Sequence, residues 1–377
     1  VHFSGKQVAL MAAAGVIGLV LLAAGTVCLT SGCGTIGYYA QAVGGHLELV
    51  GKSRSLSGWI AAEGTEPRLR ERLQLAQRMR DFAVQELKLP DNASYRRYAD
   101  LGRGAVVWNV VAAPELSLTL KTWCFPVVGC VGYRGYFDRA GADALAAELR
   151  EQGLDVSVYG VPAYSTLGRT NWLGGDPLLN TFIYWGDGEL AKLIFHELSH
   201  QVAYADDDTT FNESYAVAVE RIGGGLWLEK YGNAEARQAD IDAGQRRTDF
   251  RALTQRTRES LLTLYASAIT EQEKRERKAG LLAAMRAEYE QMKATRWSGF
   301  AGYDGWFARA NNAAFGVQAA YNELVPQFER LYAREGRDFA RFHAEVQRLA
   351  KLPKAQRRAE LAAAGPGAPA AAAAPTR

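Results

Sequence analysis

Two histidines four residues apart, with a glutamate directly after the first, stand in Lys192–Gln201, which reads KLIFHELSHQ. On a helix His196 and His200 point the same way about one turn apart, so both imidazoles can reach one divalent ion. Zinc accepts such nitrogen donors at roughly 2.0–2.1 Å. Glu197 lies on the same side, where a carboxylate can take a proton from an attacking water and pass it to a leaving amine. Leu193, Ile194, Phe195 and Leu198 make the segment largely apolar, as a buried site helix should be. A zinc site of this kind needs a third protein ligand and keeps one position for water. Two carboxylates compete downstream: Glu213 follows His200 after a spacer of 12 residues, and Glu220 after 19. Asp206-Asp207-Asp208-Thr209 reads as a tight turn that folds the next helix back beside the first. Glu213 would then lie in its first turn and Glu220 about two turns on, where it can serve as ligand or as an orienting partner of an imidazole.

The elements that must hold this cluster are legible from periodicity. Gly188–Tyr204 and Phe211–Lys230 read as two helices, and from Ala236 onward the chain reads as almost wholly helical. Earlier, Arg68–Lys88 has helical spacing and stops before Pro90. Asp138 caps a helix through Arg150, with Gly153 ending it. Ala105–Val111, Leu116–Phe125, Asp155–Tyr159 and Thr181–Trp185 read as strands of a small antiparallel or mixed sheet. The expected fold class is α+β: a small β-sheet beside the HExxH helix, with a large, mainly helical C-terminal region.

Composition sets the compartment and narrows the partners. The 377 residues are 48% hydrophobic and 23% charged, close to globular averages. A net charge of only +3, spread without a basic stripe, argues against a nucleic-acid partner. The chain opens with His2 and Lys6, runs apolar from Val8 to Leu29, and reaches Thr30-Ser31-Gly32-Cys33. This is the pattern of an export signal, and small residues before a cysteine resemble a bacterial lipobox. Residues 1–32 are therefore expected to be a signal peptide, with lipid on Cys33 as the anchor to a bacterial membrane. Thr30 departs from the usual leucine. Gly34 stands where an aspartate would signal inner-membrane retention, and the resemblance to Gram-negative lipoproteins implies the periplasmic face of the outer membrane. Beyond it we expect an α+β region at 33–186, the zinc-carrying helical region at 187–360, and a disordered Ala/Pro-rich tail at 361–377. In an exported chain, Cys124 and Cys130 are expected to pair as a disulfide.

Three further segments invite a functional reading. Val131-Gly132-Tyr133-Arg134-Gly135-Tyr136-Phe137 follows the cysteine pair and suits either a cleft wall or core packing. As a wall, a Tyr hydroxyl or Arg134 would stabilise an oxyanion. The sequence does not decide between the tyrosines, and Tyr136 is preferred. Residues 161–168 or 176–181 suit an edge strand that pairs with an extended peptide, or an ordinary loop. Asn311-Asn312 suit either the site or helix packing.

Together these pieces resemble one family, the zinc aminopeptidases found as lipoproteins in Gram-negative bacteria, within the gluzincin group. The matching motifs are the lipobox at Cys33, WCFPVVGCVGYRGYF at 123–137, GVPAYSTLG at 160–168, DPLLNTF at 176–182, FHELSHQ at 195–201, FNESYAVAVE at 211–220 and NNA at 311–313. The resemblance implies a zincin-like fold, one Zn²⁺ per chain and a peptide substrate. It implies His196, His200 and Glu213 as ligands and Glu197 as general base. Glu213 is favoured because related enzymes carry the ligand glutamate in an Asn-Glu pair on a helix, although the Glu220 spacing matches thermolysin numerically. Residues 169–175 depart from the family pattern. An aminopeptidase also needs a carboxylate for the substrate's free amine, and Asp187 and Glu189 are the candidates nearest in sequence. The rival expectation is a non-catalytic, zinc-containing envelope lipoprotein that uses its charged helices to bind a partner.

Overall fold

A computed structural model describes residues 33–363 apart from 126–128, 164, 169–170, 172–173 and 319–323. The expected leader and the tail from residue 364 lie outside the described residues.

The chain is α+β, mainly helical, with small sheets. It begins with α1 (Cys33–Lys52), β1 (Arg54–Ser55) and α2 (Leu56–Ala61). Next comes α3 (Pro67–Gln85), whose first residue is a proline, where the missing N–H costs nothing. Strands β2 (Arg97–Ala99), β3 (Val107–Pro114), β4 (Trp123–Phe125), β5 (Gly129–Val131) and β6 (Arg134–Tyr136) follow. Asp138 caps α4 (Arg139–Glu151) by accepting from the Gly141 N–H, as its position predicts. Gly153, at φ +76°, turns the chain into β7 (Leu154–Val161), and β8 (Leu178–Leu179) precedes the site.

Two sequence expectations fail here. Of Leu116–Phe125, only the last three residues are strand. Thr181–Trp185 is a run of turns, with Phe182 and Ile183 buried and Tyr184 and Trp185 exposed. Its aromatic content mimics β-propensity, which measures fit to a half-buried surface more than backbone preference.

The main sheet has order β6-β3-β7, antiparallel throughout. One face carries Trp108, Val110, Val156 and Val158 and is covered by α4 through Ala142, Ala146 and Leu149. The opposite face carries Asn109, Val111 and Tyr159. The expected disulfide is present: Cys124 and Cys130 pair across the β4–β5 hairpin.

The second half is helical: α5 (Asp187–Ser199), α6 (Thr209–Tyr231), α7 (Ala234–Ala266), α8 (Glu271–Thr295), α9 (Asp304–Arg309), α10 (Asn312–Gln318), α11 (Val325–Arg334), α12 (Phe339–Ala350) and α13 (Lys354–Ala362). Helix α13 carries order two residues into the expected tail. One hydrophobic core joins Leu49, Leu73, Leu178, Ile194, Phe211 and Phe342, so the regions expected on either side of residue 186 share a core. Asn311 and Asn312 serve packing. They bond the Val156 carbonyl at 3.0 Å and the Pro114 and Glu115 carbonyls at 3.0 and 2.7 Å, docking α10 on the main sheet.

Candidate metal centre

Helix α5 is amphipathic, burying Leu190, Ala191, Ile194, Phe195 and Leu198. It packs along α6, and two α6 glycines allow the approach. A Cβ at Gly223 would lie 2.6 Å from Leu87 and 3.2 Å from Phe195, and one at Gly224 would lie 2.6 Å from the Lys192 stem. After His200 the chain turns back through Asp206–Asp208, as expected. Buried Asn212 clamps this turn, accepting from the Ala205 N–H and donating to its carbonyl, both at 2.8 Å. Asp208, 1% exposed, caps α6 by accepting from the Phe211 N–H at 3.2 Å, and Arg357 and Arg358 of α13 hold its carboxylate. Glu213 is thereby fixed in the first turns of α6.

The result is a tight cluster of His196, His200 and Glu213, whose donor atoms all lie within 4.8 Å of one another. The two Nε2 atoms are 3.2 Å apart. Glu213 lies 3.4 Å from the His196 Nε2 and 3.8 Å from the His200 Nε2. Donors about 2.1 Å from a shared tetrahedral ion are separated by roughly 3.4 Å. The Nε2–Nε2 distance of 3.2 Å and the 3.4 Å from His196 Nε2 to Glu213 Oε2 are close to that, while the 3.8 Å to His200 Nε2 is from the other oxygen, Oε1. Glu220 stands on the other side of His196, its carboxylate 2.9 Å from Nδ1. It therefore bonds the nitrogen turned away from the cluster and orients the ring.

Electrostatics couple these groups. Burial opposes charge on His196, but hydrogen bonds to Glu213 and Glu220, with the Glu197 charge, raise its pKa well above 6.5. Burial and the neighbouring His196 charge bring His200 down to about 4. Burial works against ionisation of Glu213, yet the two imidazoles hold it below the usual carboxylate range. Glu197 is pushed up, first by burial; His196 and Ser165 oppose this, while Glu213 and Asp176 add to it.

Sequence reasoning missed several neighbours. Ser165 reaches Glu197 from the segment after β7. Asp176, 1% exposed, holds that segment by accepting from the Thr166 N–H and Oγ1 at 3.0 and 2.8 Å. Nothing in the local sequence separates these residues from ordinary loop polars.

The two tyrosines of the 131–137 segment lie apart. Tyr136 pairs with Trp108 and lies on the face covered by α4, its ring edge-on to Tyr38 at 5.8 Å and packed against α4 at Gly141. Tyr133, 46% exposed, interacts electrostatically with Glu213 and Tyr204 and lies near Tyr159 on the opposite face. Tyr133 precedes β6 while Tyr136 ends it, and the face that Tyr136 joins is covered by α4, which a single segment does not reveal.

Asp187 and Glu189 do not join the cluster. They sit in the first turn of α5, nine and seven residues before His196, about 14 and 10 Å away along the axis at 1.5 Å per residue. Arg72 binds Asp187 at 2.5 Å and Arg247 binds Glu189 at 2.6 Å. A cavity of about 560 Å³ opens at that end of the helix, walled by Asp240, Arg246, Phe300 and Tyr303, and contains none of the cluster residues.

A family model described as "Putative aminopeptidase" matches residues 37–361. No curated protein and no solved structure matches the chain.

Proposed function

Since the chain belongs to the "Putative aminopeptidase" family, we propose that it is a zinc-dependent peptidase of zincin-like build. His196, His200 and Glu213 would hold the metal and Glu197 acts as general base. The observation that carries the reading is the spacing of the three donors, 3.2, 3.4 and 3.8 Å, with the Glu197 carboxyl beside them. Two imidazoles and a carboxylate are a donor set suited to zinc. When bound, the ion supplies a Lewis acid for the scissile carbonyl and lowers the pKa of the attacking water.

The chain's own groups do the rest. Glu197 accepts the proton of the attacking water and returns it to the leaving nitrogen. Ser165 holds its carboxylate in place. Tyr133 donates its hydroxyl to the oxygen of the tetrahedral adduct. Glu220 keeps the His196 ring turned so that Nε2 faces the cluster. A peptide substrate lies against the exposed Tyr133, beside the cluster.

The site lies outside the cytoplasm, anchored through lipid on Cys33 to the periplasmic face of the outer membrane. The Cys124–Cys130 disulfide fits that oxidising setting. Exopeptidase action rests on the family description. With Asp187 and Glu189 committed to arginines, another group must receive the substrate's amine. Zinc content of the full chain, together with cleavage of matched free and N-acetylated peptides, tests the reading. About one zinc per chain and cleavage that fails on acetylated peptides support it. Equal cleavage of both peptides makes the enzyme an endopeptidase. Zinc without hydrolysis favours the non-catalytic envelope lipoprotein.

A further inference from the structure

Helix α1 has two unlike faces. The inner one packs on the main sheet. Gly45 is buried where a Cβ would lie 2.0 Å from the Phe137 ring, and Leu49 is buried in the core. Gln41 closes the edge of β6, donating from Nε2 to the Gly135 carbonyl at 3.2 Å and accepting from the Phe137 N–H at 3.0 Å. Arg134 stacks over Tyr38 at 4.5 Å.

The outer face is Gly37, Ala40, Val43, Gly44, Leu47 and Gly51, all exposed. At 3.6 residues per turn these six positions fall within an arc of roughly 120°. The arc carries no charge. Val43 and Leu47, one turn apart, are each 60% exposed. A Cβ added at Gly37, Gly44 or Gly51 would meet nothing within 4 Å, so among the described residues no packing explains these glycines. Glu48 and Lys52, paired at 2.7 Å, border the arc on one side.

What covers this face follows from what precedes it. The helix begins at Cys33, four residues after the apolar run Val8–Leu29 ends. The helix itself is not apolar enough to cross a membrane. We infer that α1 lies in the plane of the bilayer, with the Gly37–Gly51 face against the lipid surface. This rests on the membrane-anchor reading above. Two large apolar side chains would bind weakly alone, but the anchor makes their contact intramolecular and raises their effective concentration at the surface. Because the inner face is fastened to β6, which Tyr133 directly precedes, the contact fixes the orientation of the cleft relative to the membrane.

The test uses the full chain reconstituted in phosphatidylethanolamine/phosphatidylglycerol vesicles. The photoreactive residue p-benzoylphenylalanine replaces Val43, Leu47 or, as a control on the body, exposed Glu63. Flotation is measured first, then mass spectrometry after illumination. Expected are phospholipid adducts at positions 43 and 47 at least tenfold above position 63, with every variant floating. Floating protein with equal or no adducts overturns the inference while leaving the anchor intact. Chain-to-chain cross-links at 43 and 47 overturn it in favour of a second copy on this face. Protein that does not float overturns the anchor and this inference together, and none of these outcomes bears on the zinc chemistry.

Discussion

Replacing Glu220 separates a metal ligand from the group that orients one. Its carboxylate is 2.9 Å from the His196 Nδ1, and the cluster forms at Nε2 of the same ring. Glu220→Ala leaves a half-buried ring nitrogen without its acceptor and frees the imidazole to turn. Loss of such a partner typically costs 10–100-fold in metal affinity, about 1.4–2.7 kcal/mol. Glu220→Gln keeps an acceptor oxygen at that distance but loses the charge, so its loss should stay within about 10-fold. Glu213→Ala removes one of the three donors and should abolish stoichiometric binding under the same conditions. Competition against a chromophoric chelator at fixed pH, on variants shown to be folded by circular dichroism, reads all three constants. Zinc retained by Glu213→Ala and lost from Glu220→Ala would refute the reasoning and move the third ligand to the longer spacing.

Further expectations concern the tyrosines, pH and one glycine. Tyr133→Phe should lower kcat by about 10²–10³-fold with little change in KM, while Tyr136→Phe stays within about twofold; steady-state peptide cleavage checks both. His343, 5% exposed, bridges α12 to α6 through Tyr215 Oη and to the Leu87 carbonyl, both at 2.8 Å, and burial lowers its pKa to about 4. The unfolded state therefore binds the extra proton between about pH 6.5 and 4. The His343 contribution is full above 6.5 and falls as pH drops through that window, losing about 2 kcal/mol between pH 7 and 5. Urea titrations of wild type and His343→Gln at both pH values should show that difference shrinking in the variant. Gly175 sits at φ +68°, where a Cβ would lie 2.5 Å from the Ser94 amide nitrogen. Gly175→Ala should therefore cost about 1–3 kcal/mol, read as a lower Tm.

What could be read from the sequence was local chemistry. The H-E-x-x-H helix, the Asp138 cap, the Asp206–Asp208 turn and the Asn-Glu pair are set by residues within a turn or two of each other, and all stand where expected. What could not be read depends on chain segments far apart in sequence. The choice between Tyr133 and Tyr136 needs the sheet face that α4 covers. Ser165 and Asp176 gain meaning only where the segment after β7 meets α5. Asp187 and Glu189 are nearest to the motif in sequence, yet a helix carries them to its opposite end and into ion pairs with Arg72 and Arg247. Thr181–Trp185 shows the reverse error, an aromatic run that forms turns and buries only Phe182 and Ile183.

The central claim is that Glu197 works as the base at a zinc site held by its neighbours, and Glu197→Gln tests it most directly. Zinc content and peptide cleavage are measured on the same preparations of wild type and variant. The account predicts equal zinc, about one per chain, with cleavage by the variant reduced about 10²–10⁴-fold. Undiminished cleavage by Glu197→Gln at equal zinc content would contradict it.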